Sequence, residues 1–385
     1  MKPLTVVQIL PSLEAGGVER CTLETARALV AAGHRSVVIS SGGRMVEQLI
    51  REGSEHVLLP VKRKSLFTLL QTGRLRRLLE ALRPDILHAR SRVPGWVAWL
   101  AWRKLPPASR PHFVTTVHGL HSVSPYSAIM VRGEAVIAGS ETVRRYIAGN
   151  YPQCPPERVH LIPEGVDPQE FPYRYRPDAT WLARWQDTFP ELQGRRVLAL
   201  PGRLTRLKGH AVFIDLIGRL ITDHPDIHGL IVGGAEAKKA AYAEELKHAV
   251  ATAGLDRHIS FTGHRSDMRD VLSQCDLVFS LSTQPETFGR TVLEALRLGR
   301  PVVGWDVGGV GEILARCYPQ GRVPVGDVDA LEAATRHWLA APDQPGESRH
   351  FLLSTMCDET LALYERLARP AHARDQSAGP PDQGV

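Results

Sequence analysis

The chain has 385 residues, of which 43% are hydrophobic, with 47 Lys and Arg against 41 Asp and Glu. This length accommodates two α/β domains of ordinary size, and the apolar fraction is sufficient for a buried core in each. No apolar run reaches the ~18 residues of a membrane-spanning helix, which argues against an integral membrane protein.

The amino terminus and the cysteines predict a cytoplasmic protein. The first apolar stretch, Thr5–Leu10, is too short for a secretion signal and is better predicted as a strand. The cysteines are odd in number and widely scattered, and none forms a Cys-x-x-Cys pair, so we expect reduced, buried thiols. They are Cys21, Cys154, Cys275, Cys317 and Cys357.

Strand and helix signals alternate through the first half of the chain. Strands are predicted at Thr5–Leu10, Arg35–Ser40, His56–Pro60, Asp85–Arg90, His112–Val117 and Glu134–Gly139. Helices are predicted at 17–32, 66–82, Pro94–Lys104 and 141–149, the last capped by Ser140. Such alternation is typical of a doubly wound α/β domain with a parallel sheet.

Positive charge is concentrated in this half. Residues 1–172 carry 22 Lys and Arg against 14 Asp and Glu, a net charge of +8, whereas the remaining residues carry −2. This face suits anionic lipid headgroups or a phosphorylated acceptor, although a solvated basic helix explains it equally. Nothing in the chain resembles a nucleic-acid-binding motif. Six of the basic residues fall close together: Lys62, Arg63, Lys64, Arg74, Arg76 and Arg77.

Tryptophans recur at three-residue spacing in the helix predicted over Pro94–Lys104. Trp96, Trp99 and Trp102 predict a stripe that faces either the core or a membrane.

The second half begins after a proline-rich stretch. Residues 168–195, with four prolines, are predicted to be a linker, and a second alternating series runs from Arg196 to about Ala340. Leu352–Ala368 is predicted as the last helix. The tail, 371–385, is rich in Pro, Gly, Asp and Gln and is predicted to be disordered.

Glycine-bearing turns follow several strands of the second series. After Val197–Leu200, a loop places Arg203 and Lys208 between glycines; the Arg fork and the Lys point charge both suit phosphate oxygens. The alternative is an ordinary basic loop. Further turns contain Gly234 and the pair Gly263 and His264, which indicates one cleft at the carboxyl ends of a parallel sheet.

The stretch from Glu286 to Glu294 is the most informative in the chain. Glu286 lies on a loop, Gly289 follows three residues later, and a helix then carries Glu294. Because the first-turn N–H groups of a helix have no internal partner, an anion binds there readily, and a loop carboxylate beside it suits a sugar hydroxyl. On spacing alone, an amphipathic helix with two solvated glutamates is an equal alternative.

Together these elements resemble the retaining glycosyltransferases of family 4, which have the two-domain GT-B fold: two Rossmann-like, doubly wound α/β domains facing across a cleft. The resemblance rests on the E-x7-E element, the G-R-x4-K-G loop and the D-V-G-G segment at Asp306, and it covers roughly residues 4–370. Upstream, Gly16-Gly17, Val117-His118-Gly119 and Ile162–Asp167 resemble further family segments. Glu164 departs from the usual Asn of the last segment, so no role is assigned to it.

The resemblance implies roles for individual residues. His118, Arg203, Lys208 and Glu286 would be catalytic, with Glu286 holding the donor sugar and the two cations neutralising the leaving diphosphate. The donor-binding set would be Gly16, Gly17, Gly234, Gly263, His264, Thr287, Phe288, Gly289, Arg290 and Glu294, with Glu294 accepting from the ribose hydroxyls. No metal or other cofactor is implied, because the one Asp-x-Asp, Asp327 to Asp329, is explained as a helix cap.

The resemblance also implies a domain plan and a function. An acceptor-binding domain would span 1–167, the linker 168–195, the nucleotide-sugar domain 196–345, and a helix within 346–370 would cross back to the first domain. Within the family, the segments Asp85–Pro94, Thr115–Gly119 and Tyr126–Glu134 resemble bacterial lipopolysaccharide core transferases. The enzyme would therefore move a sugar, from a UDP-hexose or UDP-N-acetylhexosamine, to a lipopolysaccharide core or related cell-surface glycan. We expect an anionic acceptor and reversible contact with the cytoplasmic face of the inner membrane. The alternatives are a GT-B nucleotide-sugar epimerase and a non-catalytic sugar-binding protein.

Overall fold

The chain divides into two compact units in the computed structural model, which describes residues 2–14, 16–234 and 240–369. The first unit runs to Glu164 and resumes at Leu353, and the second is Gly165–Leu352. The boundary predicted at residue 167 therefore falls three residues late. The tail predicted to be disordered, 371–385, lies outside the described residues.

The first unit is built on a seven-stranded parallel sheet. Its strands are β1 (Thr5–Ile9), β2 (Arg35–Ser40), β3 (Glu55–Leu58), β4 (Ile86–Ala89), β5 (His112–Val117), β6 (Ala135–Ala138) and β7 (Val159–Leu161). They lie in the order β3-β2-β1-β4-β5-β6-β7. The central strand β1 lies between β2 and β4, with Val7 opposite Val37 on one side and Leu87 on the other. Strand β7 was not predicted from the sequence because it is three residues long and carries no buried apolar run.

Helices cover this sheet. The one predicted over 66–82 is two helices, because the Thr72 hydroxyl donates to the Leu69 carbonyl (2.6 Å) and competes with helical hydrogen bonding at the junction. Ser140 caps the helix predicted over 141–149, accepting from the Val143 N–H (3.2 Å). The α-helices of the first unit are Gly17–Ala31, Val46–Arg51, Leu66–Leu69, Gln71–Leu82, Arg92–Arg103, Glu141–Asn150 and Leu353–Ala368, and the last packs on the first.

The second unit has a six-stranded parallel sheet. Its strands are β8 (Arg196–Pro201), β9 (Ile227–Val232), β10 (Ile259–Phe261), β11 (Leu277–Ser280), β12 (Val302–Trp305) and β13 (Arg322–Val323). They lie in the order β10-β9-β8-β11-β12-β13. Its α-helices are Ala179–Thr188, His210–Leu220, Ala240–Thr252, Met268–Ser273, Arg290–Arg297, Gly308–Cys317 and Val328–Ala340. Two parallel sheets with helical crossovers confirm the predicted pair of doubly wound α/β domains.

The predicted linker is wrong. Residues 168–195 belong to the second unit and contain the helix Ala179–Thr188, capped by Asp178, whose carboxylate accepts from the Trp181 N–H (2.8 Å). Trp181 stacks on Trp185, which contacts Phe189, and all three are buried in the core of this unit. The prolines flank this helix rather than forming a flexible connection.

Three smaller predictions have clear outcomes. Among the described residues, which include all five cysteines, no disulfide forms, and four of the five are buried. Asp327 caps Val328–Ala340 by accepting from the Ala330 N–H (2.9 Å), as predicted. Within the described ranges, no helix is long and apolar enough to cross a membrane.

Candidate functional site

The candidate site in the second unit is a cavity where the strand order reverses. It opens at the carboxyl ends of β8 and β11, which are neighbours in the sheet although β9 and β10 separate them along the chain. Ligands of doubly wound sheets bind at this kind of switch point. Lys208, Ser282, Glu286, Gly289 and Thr291 are among the residues that line the cavity.

An ion pair between Lys208 and Glu286 is the centre of this cavity. Lys208 Nζ lies 2.6 Å from Glu286 Oε1, and the Ser282 hydroxyl donates to the same oxygen at 2.5 Å. Burial acts to raise the pKa of Glu286, but Lys208, then Ser282 and Arg203, outweigh it and hold the pKa below its ordinary value. Both side chains of the pair are 27% exposed, so the pair is accessible to a ligand. Ser282 was not predicted, because its role depends on a contact rather than on a motif.

Arg203 and the two predicted glycine turns come together beside this pair. Leu204 donates its N–H to the Gly234 carbonyl (3.1 Å), and a Cβ at Gly234 would lie 3.1 Å from His264 Cβ. Gly263 pairs with Gly233 in an isolated antiparallel bridge. The structure thus gathers Arg203, Gly234, Gly263 and His264 at the carboxyl edge of one sheet, as the spacing of the motifs predicted.

The helix Arg290–Arg297 begins at the same cavity. Gly289 precedes it with φ 102°, a left-handed conformation that favours glycine, and no side chain caps the helix start. Its first-turn N–H groups are therefore placed to bind an anion. The Phe288 ring is buried against Phe351 (ring centroids 5.6 Å apart). The donor contacts predicted for Thr287 and Phe288 stay predictions.

Glu294 is less accessible than Glu286. Its side chain is 5% exposed and lies one helical turn from Arg290, whose Nε is 3.3 Å from Glu294 Oε1. A ribose hydroxyl would have to reach a carboxylate that is already held by an arginine. The predicted ribose contact stays a prediction.

The glycine pair of the D-V-G-G segment supports the Glu286 loop. The Gly309 N–H donates to the Glu286 carbonyl (2.8 Å), and a Cβ at Gly309 would lie 2.1 Å from the Phe288 carbonyl oxygen. A Cβ at Gly308, where φ is 63°, would lie 2.6 Å from the Glu286 carbonyl oxygen. The segment therefore requires glycine because the Glu286 loop packs directly on its backbone.

We expect Gly309→Ala to destabilise the protein by roughly 1–3 kcal/mol, since the added methyl group overpacks a rigid backbone contact. The Glu286 loop should also shift, so the affinity for a nucleoside diphosphate should fall with the midpoint of urea unfolding. Gly346→Ala is the matched control, because a Cβ at Gly346 meets nothing within 4 Å. Equal unfolding midpoints for the two variants would contradict this role of Gly309.

In the first unit, His118 is held between two residues that were not predicted as site residues. Its Nδ1 lies 3.5 Å from Glu164 Oε1, and its Nε2 lies 3.4 Å from Arg90 Nη1. Because arginine only donates, Nε2 accepts and the Nδ1–H faces Glu164. His118 stays a predicted catalytic residue, and Glu164, which replaces the usual Asn of its segment, orients it.

Arg90 is the buried centre of this second cluster. It is 3% exposed and donates to Gln8 Oε1 (2.7 Å) and Thr25 Oγ1 (2.9 Å). The Gly16 and Gly17 turn follows β1 on the same sheet, and a Cβ at Gly17 would meet nothing within 4 Å. Packing within the fold therefore does not require glycine at position 17, which is consistent with a loop that a ligand approaches closely.

Comparison with known proteins decides the family. The model described as Glycosyltransferase Family 4 matches residues 15–170, and the model described as Glycosyl transferases group 1 matches residues 184–351. Together they match most of the chain. The protein is a family 4 glycosyltransferase.

Individual relatives of this glycosyltransferase differ in what their names say they act on. A D-inositol 3-phosphate glycosyltransferase of Stackebrandtia nassauensis is 25% identical over 335 residues, 78% of this chain and 74% of its own. The lipopolysaccharide core biosynthesis mannosyltransferase LpsB of Rhizobium meliloti is 32% identical over 206 residues, 48% of this chain and 58% of its own. A solved glycosyltransferase from Rickettsia africae superposes with a TM-score of 0.84 at 25% identity, over 96% of this chain and all of its own.

One acidic residue of the glycosyltransferase's D-V-G-G segment has a structural partner. Asp306 accepts from Arg322 Nη2 at 2.6 Å, so its carboxylate fixes the start of the segment to β13. Asp306 therefore differs from Glu286, because the partner of Glu286, Lys208, lines the cavity, whereas Arg322 is not among the lining residues.

Proposed function

We propose that the enzyme is a metal-independent, retaining glycosyltransferase that moves a sugar from a nucleotide-diphosphate sugar to a lipopolysaccharide core or related cell-surface glycan. A UDP-hexose or UDP-N-acetylhexosamine is the proposed donor. The observation that carries this proposal is the accessible Lys208–Glu286 ion pair beside the start of the helix Arg290–Arg297.

The ion pair suggests how the donor enters. Glu286 is the anion that neutralises Lys208 in this structure, at 2.6 Å. An arriving diphosphate takes over that role, which frees the Glu286 carboxylate to accept hydrogen bonds from the sugar hydroxyls. The pair thus keeps Lys208 positioned in a partly desolvated cavity until the substrate replaces its partner.

Catalysis then follows from charge placement. Breaking the anomeric bond leaves negative charge on the diphosphate, and Lys208, Arg203 and the N–H groups at the helix start are fixed where that charge develops. These groups supply the neutralisation that a divalent ion supplies in metal-dependent transferases. Retention of configuration is what membership of the family implies.

The acceptor class is proposed from the net charge of the first half of the chain and from the name of one relative. The first half of the chain is strongly basic, with a net charge of +8 over residues 1–172. An anionic glycan suits such a surface. The Rhizobium relative, named as a lipopolysaccharide core mannosyltransferase, supports an acceptor of that class.

The test is a transfer assay with defined products. Isotope-labelled UDP, GDP and ADP sugars are incubated with truncated lipopolysaccharide in excess chelator, and the label in the glycolipid and the configuration of the new linkage are measured by NMR. We expect metal-free transfer with retention from one donor class. If the label stays in a nucleotide sugar in which one stereocentre of the sugar is inverted, and this happens without acceptor, the protein is an epimerase. Donor binding without turnover would establish a sugar-binding protein.

We further propose that the protein makes reversible contact with the cytoplasmic face of the inner membrane. We predict that it binds vesicles of anionic lipid at low salt and is released at high salt. Lys62, Arg63 and Lys64 are exposed, and Phe67 and Leu70 beside them are 79% and 71% exposed. Each basic residue near an anionic surface contributes on the order of 1 kcal/mol, so a few give attachment that salt reverses. Sedimentation with vesicles of anionic or neutral lipid measures this.

Charge reversal of Lys62, Arg63 and Lys64 should weaken that binding and leave donor hydrolysis, which needs no acceptor, unchanged. Reversal of three other exposed basic residues, Lys104, Arg145 and Arg158, is the matched control and should have little effect. Vesicle binding that ignores both salt and lipid charge would contradict the electrostatic account.

The tryptophan stripe is a poorer membrane anchor than these residues. Trp96 and Trp102 donate their indole N–H groups to the carbonyls of Tyr126 (2.9 Å) and Pro111 (2.7 Å), and Arg132 lies over Trp96 and Trp99. The stripe is half-buried against its own unit, which agrees with the core-facing alternative.

A further inference from the structure

Two cations in the first unit share one aromatic ring. Lys64 Nζ lies 4.3 Å from the centroid of the Tyr126 ring, and Arg92 Cζ lies 5.4 Å from the same centroid. Neither cation forms an ion pair with a carboxylate in the part of the chain that the structure describes. The Lys64–Arg92–Tyr126 cluster is therefore positively charged and not neutralised by its own unit.

The cluster is held in place by its surroundings. The Tyr126 carbonyl accepts from the Trp96 indole N–H at 2.9 Å, and the Ser127 hydroxyl accepts from Arg92 Nη1 at 3.4 Å. The Ser127 N–H in turn donates to Ser124 Oγ (3.1 Å), which orders the turn that carries the tyrosine. A ligand would meet a preorganised ring and guanidinium, with Lys64 as the exposed, adaptable member.

The local electrostatics favour an anion. Burial, then Arg92 and His118, lowers the pKa of His121, which follows the same strand as Tyr126. Two like charges beside one ring repel each other, and an oxoanion between or beside them removes that repulsion. An arginine fork and a lysine point charge are the usual ligands of a phosphate group.

The position of the cluster in the sheet points to substrate. Lys64 follows β3, Arg92 follows β4 and Tyr126 follows β5, so all three lie at the carboxyl edge of one parallel sheet, where such sheets bind ligands. Arg92 is also the first residue of the twelve-residue helix Arg92–Arg103, whose positive dipole end adds to the charge of the cluster.

We propose that Lys64, Arg92 and Tyr126 form a subsite for a phosphate group carried by the acceptor glycan. The inference rests on the proposed function, because it takes the first unit to be the acceptor side. It names the acceptor's chemistry: a sugar bearing a phosphate monoester or diester, with the phosphate on Arg92 and Lys64 and the sugar face against the tyrosine ring.

Direct binding tests the subsite without an acceptor of known identity. Glucose 6-phosphate, inorganic phosphate and unphosphorylated glucose are titrated into the full-length protein, with UDP present at saturation, and followed by 31P NMR and by calorimetry. We expect the two phosphates to bind in the millimolar range and glucose not to bind detectably. Arg92→Ala or Lys64→Ala should weaken phosphate binding by about tenfold or more.

The controls separate this inference from its alternatives. Arg74→Ala removes the same charge from an exposed site in the same unit and should leave phosphate binding unchanged. Since Lys64 is exposed, its truncation keeps the test valid if the Arg92 variant fails to fold. Equal phosphate affinity in wild type, Arg92→Ala and Lys64→Ala would overturn the subsite, as would equal losses in the Arg74 control.

Two further arms locate any failure. UDP affinity measured on the same variants should be unchanged. Absence of UDP binding to the wild-type protein would contradict the proposed function. Loss of phosphate binding alone would not contradict the proposed function. Arg92→Ala should also keep its binding to anionic vesicles. A variant that loses vesicle binding but keeps its affinity for glucose 6-phosphate would show that the ligand is a bilayer headgroup, which overturns the acceptor subsite.

Discussion

Replacing Lys208 with Ala should lower turnover by roughly 30-fold to 1000-fold, equivalent to 2–4 kcal/mol of lost transition-state stabilisation. The reason is that negative charge develops on the leaving diphosphate at the atoms that Lys208 is placed to bind. Arg203→Ala should give a loss of the same order. Steady-state turnover at saturating donor, with excess chelator, measures both.

The control for this prediction lies in the same loop. Arg206 is exposed and is bound by both carboxylate oxygens of Glu245 (2.8 and 2.5 Å), so Arg206→Ala removes an identical charge that faces away from the cavity. Lys208→Ala leaves the partly buried Glu286 carboxylate without its cation, which could destabilise the fold. A thermal unfolding curve, and the double variant Lys208→Ala with Glu286→Gln, separate a loss of turnover from a loss of stability. Turnover that Lys208→Ala lowers no more than Arg206→Ala does would contradict the role of Lys208.

Glu286→Gln and Glu294→Gln should separate sugar handling from nucleotide binding. Glu286→Gln is expected to reduce turnover by about 10-fold to 100-fold, the range of a hydrogen bond to a charged group, because the sugar hydroxyls lose a carboxylate acceptor. UDP affinity should stay unchanged or rise, since the variant removes the anion that competes for Lys208.

Glu294→Gln should have the opposite signature. If the carboxylate accepts from the ribose, UDP affinity should fall by about 10-fold to 100-fold. Calorimetric UDP affinities and steady-state turnover are compared for both variants, with unfolding midpoints as the check, because Glu294 is buried beside Arg290. Equal effects of the two variants on UDP affinity would contradict separate roles for Glu286 at the sugar and Glu294 at the ribose.

Local sequence patterns predicted much of the fold and of the candidate site in the second unit. The alternation of apolar runs with helices located both sheets, and the glycines that follow strands located the loops of Arg203 and Gly289, since parallel strands bring their carboxyl ends to one edge. Asp327 and Ser140 were correctly predicted as helix caps because a cap contacts an N–H group only three residues further along the chain.

What sequence patterns missed depends on contacts between distant residues. The prolines around 168–195 indicated a linker, but Trp181, Trp185 and Phe189 gain more from burial in the second core than a flexible segment would gain from disorder. Arg90 and Glu164 are 74 positions apart in sequence, and only the sheet brings both to His118. No local pattern predicts such a network.

Calorimetric titration of the wild-type protein with UDP, GDP and ADP in excess chelator tests the central claim most directly. The account predicts that a nucleoside diphosphate, UDP before the others, binds without any divalent ion, because Lys208, Arg203 and the helix start at Gly289 supply the positive charge. Failure of all three to bind at millimolar concentration, or binding that appears only when a divalent ion is restored, would contradict it.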